Sequence, residues 1–225
     1  MMKKVIAFLA AFALPFMTVS CVEVEGDTNE VPEGAVDLGL SVYWASSNLS
    51  VTGLCRNPED YGDHYAWGET EPKGIYDWST YKWCSGKHAS LTKYNYDSDW
   101  GTVDNKTVLE ANDDAAHAVL GGNWRMPTYE EWTELVKDCT WTWTTSNGVN
   151  GYEVKAANGN SIFLPAAGWR ENSYLNYAGD SGSYWTSSLG SVHRGYACDV
   201  TLSASGVFVS DFGRLCGLSI RPVTK

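Results

Sequence analysis

The sequence points to an α+β fold, with two short helices packed on a twisted, mostly antiparallel sheet and long irregular loops. Three observations point there. The elements come in the order strands, long loop, two helices, then many short strands. The stretch Trp124-Arg125-Met126-Pro127-Thr128-Tyr129-Glu130-Glu131-Trp132 spells out a helix start, because Thr128 and Glu131 make the T-x-x-E pattern of a capping box. The second half carries the turn pairs Asn147-Gly148, Asn150-Gly151 and Asn158-Gly159, which separate short strands.

Each element has a local reason. Asp37 to Asn48 alternates loosely and reads as the first strands, with Leu38, Leu40, Val42 and Trp44 on one face. Cys55 to Tyr96 has no sustained period and is rich in Gly, Asp, Trp and Tyr, so it reads as a long packed loop. A first helix runs from Asn112 or Asp113 to Leu120, with Asp113 and Asp114 in its first turn and Gly121-Gly122 as its stop. The second runs from Tyr129 to about Asp138. Pro127 holds its approach extended, and Trp132, Leu135, Val136 and Cys139 form its apolar stripe. Thr140 to Thr145 is a strand with Trp141 and Trp143 on one face, and Tyr152 to Ala156 and Ser161 to Leu164 follow as short strands. Arg170 to Gly182 is a second polar, aromatic loop. Tyr184 to Ser188, Tyr196 to Leu202, Val207 to Ser210 and Leu218 to Pro222 close the domain. No internal repeat is visible.

The N-terminus reads as a secretion signal over residues 1–20. Lys3 and Lys4 are its positive region, and Val5 to Val19 is apolar but too short for a typical membrane span. Thr18-Val19-Ser20-Cys21 resembles a bacterial lipobox, with Cys21 as the lipid-attachment residue. The acidic stretch Val22-Glu23-Val24-Glu25-Gly26-Asp27 resembles the export signal that sends lipoproteins to the cell surface in Bacteroides-like bacteria, and residues 21–34 read as a flexible acidic linker. The expected location is therefore the outer membrane, lipid-anchored and surface-exposed. Loss of Lys3 and Lys4 takes the formal charge of −11 two units lower. So acidic a surface argues against nucleic acid or anionic lipid as a partner. Residues 35–225 are long enough for one domain with a substantial core. Most of the eleven Trp and thirteen Tyr belong to the core, but such a supply also suits stacking on sugars or gripping a protein. After Cys21, five cysteines remain: Cys55, Cys84, Cys139, Cys198 and Cys216. The compartment permits disulfides, but an odd number leaves at least one thiol free or paired between chains, and sequence does not choose the connectivity. Cys139, on the apolar stripe, reads as a buried thiol.

Five groups of residues together resemble one family, the Fibrobacter succinogenes major paralogous domain. They are Val36-Asp37-Leu38-Gly39-Leu40; Pro58-Glu59-Asp60-Tyr61-Gly62-Asp63 with Ala66-Trp67-Gly68-Glu69-Thr70; Gly122-Asn123-Trp124-Arg125-Met126-Pro127-Thr128 with Glu131-Trp132; Phe163-Leu164-Pro165-Ala166-Ala167-Gly168; and Gly217-Leu218-Ser219-Ile220-Arg221-Pro222-Val223. The resemblance covers residues 35 to 225 and implies a domain found in lipoproteins and surface proteins. Trp124 to Trp132 is also similar to the W-R-L-P-T-E-A-E-W-E stretch of formylglycine-generating enzymes, and this implies the C-type-lectin-like fold that those enzymes share.

Enzymatic readings fare poorly. Formylglycine-generating enzymes use two nearby cysteines that bind copper, whereas Cys198 and Cys216 stand eighteen positions apart outside any matching motif. Ala115-Ala116-His117 and Gly179-Asp180-Ser181-Gly182 echo serine-protease fragments, but a triad is defined by geometry and His117 falls on a helix. Glu71-Pro72-Lys73 has Lys where a calcium-binding lectin has an amide, and Asp97-x-Asp99-x-Gly101 lacks the rest of a calcium loop. Asp60, Asp63, Glu69 and Glu71 read as solvated loop carboxylates or partners of buried Arg. His64, His88 and His193 show no metal spacing, so neither a metal nor a cofactor is expected. Arg125 and Arg221 read as structural, pairing with backbone or carboxylate.

The expected function is a non-enzymatic binding or adhesion module for a glycan or a surface protein. Its binding residues would be Trp169, Tyr174 and Tyr177 in or beside the second loop, and Trp78, Tyr81 and Trp83 in the first. A structural or accessory subunit of a surface appendage is the alternative.

Overall fold

The computed structural model describes residues 31–191 and 193–225. The signal segment, Cys21 and most of the acidic linker lie outside the described residues. Strands β1 (Ala35–Val36) and β2 (Tyr43–Ala45) are followed by a small hairpin, β3 (Leu49–Ser50) and β4 (Gly53–Leu54). Helices α1 (Ala115–Leu120) and α2 (Tyr129–Asp138) come next. Then come β5 (Thr140–Ser146), β6 (Val149–Lys155), β7 (Ser161–Pro165), β8 (Trp169–Glu171), β9 (Tyr174–Asn176), β10 (Ser181–Leu189), β11 (Tyr196–Ser203), β12 (Gly206–Gly213) and β13 (Val223–Thr224). All ladders between these strands are antiparallel, in the orders β1-β2-β13, β3-β4, β5-β6-β7, β8-β9 and β10-β11-β12. The class is α+β, as the sequence implies.

The helix starts follow from their caps. Thr128 accepts from the Glu131 N–H at 3.3 Å, and Glu131 accepts from the Thr128 N–H at 2.9 Å. The same carboxylate takes both terminal nitrogens of Arg125, at 2.8 and 2.5 Å. Arg125 is therefore a structural clamp on the helix start. Helix α1 begins later than the sequence reading, at Ala115. Asp114 is its cap and accepts from the Ala116 and His117 N–H groups, while Ala111–Asp113 forms a separate 3-10 turn. Asp114 also accepts from the Met126 N–H at 2.8 Å, so one buried carboxylate ties α1 to the approach of α2.

The sheet β10-β11-β12 separates two aromatic cores. Tyr184, Val200 and Leu202 face one, with Trp44, Trp132, Leu135, Val154 and Leu164. Trp185 and Ala197 face the other, with Tyr65, Trp67, Tyr94 and Leu218. The alternation of the strands makes this division, and β10 and β11 are buried on both faces as a result. Trp132 is fully buried, meeting Trp44 edge-on at 4.8 Å. Burying a large apolar side chain stabilises by roughly 1.5–3 kcal/mol.

The long segment Cys55 to Tyr96 is irregular, as expected, and it is packed: Tyr65, Trp67, Tyr76, Tyr81, Leu91 and Tyr94 are buried. Arg214 holds it down. Fully buried, it donates to the Tyr81 hydroxyl at 3.0 Å and to the carbonyls of Lys93, Tyr94 and Arg194. Arg221 does the same between sheets, donating to Asn48 Oδ1 at 3.0 Å and to the carbonyls of Ala45 and Phe163. Neither has a carboxylate partner among the described residues, and burial pulls the Arg221 guanidinium down to about 10.

Several expectations need correction. Gly151 lies inside β6 rather than in a turn. A side chain there would meet the Leu164 carbonyl at 2.3 Å, so glycine serves close strand packing. The terminal strand is Val223–Thr224 and not Leu218–Pro222. Leu218 and Ser219 make only isolated bridges to Tyr65 and Tyr184, and Pro222 has no N–H to donate. Arg170 to Gly182 is not a loop throughout, because it contains most of the β8-β9 hairpin and the start of β10. All five described cysteines are unpaired, and Cys139 is half-buried rather than buried, since it is the cap at the end of α2, where the chain turns extended.

Candidate functional site

The hairpin β8-β9 is built for exposure on a rigid base. Glu171 pairs with Tyr174, so Asn172 and Ser173 make a two-residue turn, and Asn172 takes a φ of +52° that Asn tolerates. The tip is pinned: Tyr76 and Asn172 exchange backbone hydrogen bonds at 2.8 and 2.9 Å. Its base is pinned by the same exchange between Arg170 and Gly217, at 2.7 and 2.9 Å. Gly168, at φ +69°, lets the chain enter the hairpin, since a Cβ there would lie 2.2 Å from the Asn176 carbonyl oxygen.

Cross-strand partners share a face. The pairs Trp169–Asn176 and Glu171–Tyr174 therefore lie on one side and Arg170–Leu175 on the other. On the first side Tyr177, at φ +53°, stacks on Trp169 with centroids 4.8 Å apart and planes 18° apart. Trp169 also meets Phe212 in a T-shaped pair, with centroids 5.4 Å apart. Tyr174 is 69 % exposed and Tyr177 63 %. Trp169 is thus an anchor, and the two tyrosines are the presented surface.

On the second side lies a cleft of about 450 Å³, lined by Tyr61, Asp63, His64, Lys73, Tyr76, Arg170 and Leu175. His64 Nε2 is 3.1 Å from the Ala167 carbonyl oxygen, which can only accept, so Nε2 carries the proton. Burial holds its pKa down to about 4, the Arg170 charge nearby adding to the effect, so the ring is neutral at physiological pH. The Tyr76 hydroxyl donates to the His64 carbonyl at 2.5 Å. Lys73 is neutralised by Glu69 at 2.8 Å. The Arg170 guanidinium makes no hydrogen bond or ion pair among the described residues.

The first-loop aromatics are placed differently. Tyr81 is only 2 % exposed, donates to the Trp67 carbonyl at 2.8 Å and accepts from Arg214, so it belongs to the core and not to a binding face. Trp83 donates to the Gly68 carbonyl at 2.7 Å, and its ring is approached by the ammonium groups of Lys82 and Lys93 at 4.3 and 4.8 Å. Trp78 packs edge-on against Tyr81 at 5.7 Å and lies beside His88. None of the three lines the hairpin cleft. The turn at Asp97 is closed by its own hydrogen bond to the Asp99 N–H. Among the described residues no three His, Cys, Asp or Glu side chains gather as metal ligands, and no helix is long and apolar enough to cross a membrane.

Sequence reading passes over Arg170. It stands beside Trp169 in the chain, and only the strand pairing reveals that it turns to the opposite face. Comparison with protein families, curated proteins and solved structures returns no match for this chain.

Proposed function

We propose that this chain is a non-enzymatic binding module, lipid-anchored through Cys21 at the outer membrane and displayed on the cell surface, that holds a glycan through the β8-β9 hairpin. The observation behind this reading is the pair of exposed tyrosines, Tyr174 and Tyr177, on a hairpin fixed at tip and base, with Tyr177 backed by Trp169. Rigid aromatic surface loses little conformational entropy on binding and offers its face to the apolar side of a sugar ring. The motif resemblance supports placing the domain with the Fibrobacter succinogenes major paralogous domain and giving it a C-type-lectin-like fold. The element order, two helices against antiparallel sheets with long irregular loops, is compatible with that assignment.

The test is a glycan array probed with the full-length chain in mild detergent, with and without calcium, beside Tyr174→Ala and Tyr177→Ala. A hit that weakens by about tenfold or more in either variant supports the reading. A hit indifferent to both variants, or a blank array, sinks it. The second reading, an accessory subunit of a surface assembly, draws on Phe208, which is exposed on β12 at the open edge of its sheet. It predicts stable co-purification with partner chains and no glycan affinity.

A further inference from the structure

We infer that the cleft behind the hairpin recognises a sugar acid, with Arg170 binding the carboxylate and Asp63 and His64 accepting hydroxyls. This rests on the proposed glycan-binding function and names the ligand class.

Charge decides the class. Of the two cations lining the cleft, Lys73 is paired with Glu69 at 2.8 Å. Arg170 is left without a hydrogen-bond or ion-pair partner among the described residues, on a strand whose backbone is tied to Gly217. A planar guanidinium with free donors matches a carboxylate in two parallel hydrogen bonds. No hydrogen bond or ion pair among the described residues uses that guanidinium. A neutral sugar would leave this cation unused.

Asp63 and His64 supply the other half of the recognition. Asp63 spends Oδ2 on the Val51 N–H at 2.9 Å, and its Oδ1 makes no hydrogen bond among the described residues. His64 gives its Nε2 proton to Ala167 and so keeps Nδ1 as an acceptor. Two acceptors lining the same cleft as Arg170 suit a molecule with hydroxyl donors and a single negative charge. A bare anion such as sulfate would gain from Arg170 but would face the Asp63 carboxylate with no donor to offer it. Leu175, paired across the strand from Arg170, provides an apolar wall. The volume of about 450 Å³ lies in the range of small-ligand sites.

The experiment is a titration of the full-length chain in mild detergent with D-glucuronate, D-glucose and inorganic sulfate, read by calorimetry or ligand-observed NMR. Wild type is expected to bind glucuronate saturably and glucose or sulfate at least about tenfold more weakly. Arg170→Gln should lose glucuronate by a similar factor with a nearly unchanged melting temperature, because no hydrogen bond or ion pair among the described residues is removed. Arg170→Lys, which keeps charge but not the fork, should be intermediate. Equal affinity for glucose and glucuronate would overturn the proposal. So would sulfate binding as tightly as glucuronate, glucuronate binding unaffected by Arg170→Gln, or no saturable glucuronate binding at all. An array hit on neutral glycans, lost in Tyr177→Ala and indifferent to Arg170→Gln, would also overturn it while leaving the binding function standing.

Discussion

Asp199 should make this protein less stable as pH rises through the weakly acidic range, and Asp199→Asn should remove that loss. Asp199 sits in the middle of β11 with no exposed surface. Its Oδ2 accepts from the Thr201 hydroxyl at 2.8 Å and its Oδ1 from the Ser210 hydroxyl at 2.7 Å. No Lys, Arg or His pairs with it among the described residues. Burial is the main reason its pKa rises from 3.8 to about 6, and the Asp211 charge adds to the rise. The two hydroxyls pull the other way without offsetting it. With the folded value above the unfolded one, the native state binds more protons between the two, and its stability falls as pH climbs through that window. Such a rise corresponds to on the order of 3 kcal/mol, fully present as a penalty above about pH 6 and absent below about pH 4. Asparagine can accept from one hydroxyl and donate to the other, so the local geometry survives. The assay is denaturant unfolding of both proteins from about pH 4 to about pH 7.5, read as the difference between them. That difference cancels the opposite trend from Asp113 and Glu131, whose depressed pKa values cost stability only at lower pH. The variant should gain on the wild type steadily across the window. A difference that does not change with pH would refute the reasoning.

Gly168→Ala should destabilise the hairpin, because the alanine must take a φ of +69° with its Cβ 2.2 Å from the Asn176 carbonyl oxygen. A strained non-glycine position costs on the order of 1–3 kcal/mol, so a melting-temperature fall of several degrees and loss of the Trp169–Tyr177 near-UV signal are expected, and an unchanged melt would contradict the geometry. The thiols of Cys198 and Cys216 should resist labelling at neutral pH, since burial pushes both up to about 12. They should react in full after denaturation, and a bridge between any two of the five described cysteines in non-reducing peptide mapping would contradict this arrangement.

What can be read from the sequence, and what cannot, divides by the range of the interaction. The second helix is legible to the residue because its start rests on contacts within six positions: Thr128 with Glu131, and Glu131 with Arg125. The packing of Leu38, Val42 and Trp44 is legible for a similar reason, since one apolar face must find a core. Arg221 reads as structural from its apolar neighbours, and its partners are carbonyls and an amide of residues far away in the chain. Gly151 reads as a turn residue, whereas the close approach that demands a glycine comes from β7, which no local pattern announces. The hairpin is harder still. Trp169, Arg170 and Leu175 read in sequence as one aromatic and polar stretch, and a register shift of a single residue would exchange their faces. That register depends on Gly168 closing against Asn176 and on Asn172 bonding to Tyr76, a partner almost a hundred residues upstream. The motif segments that carry the family resemblance are spent mainly on the core and its clamps, through Trp67, Arg125, Trp132 and Arg221. Such residues constrain the scaffold, whereas in the proposed function the ligand is chosen by Arg170, Tyr174 and Tyr177, whose side chains make no hydrogen bond among the described residues. Arg170 and Tyr174 take part in no hydrogen bond, ion pair or ring stacking of their side chains among the described residues, whereas Tyr177 also stacks on Trp169. The first two can change at little cost to stability, so chains sharing these core segments need not share a ligand.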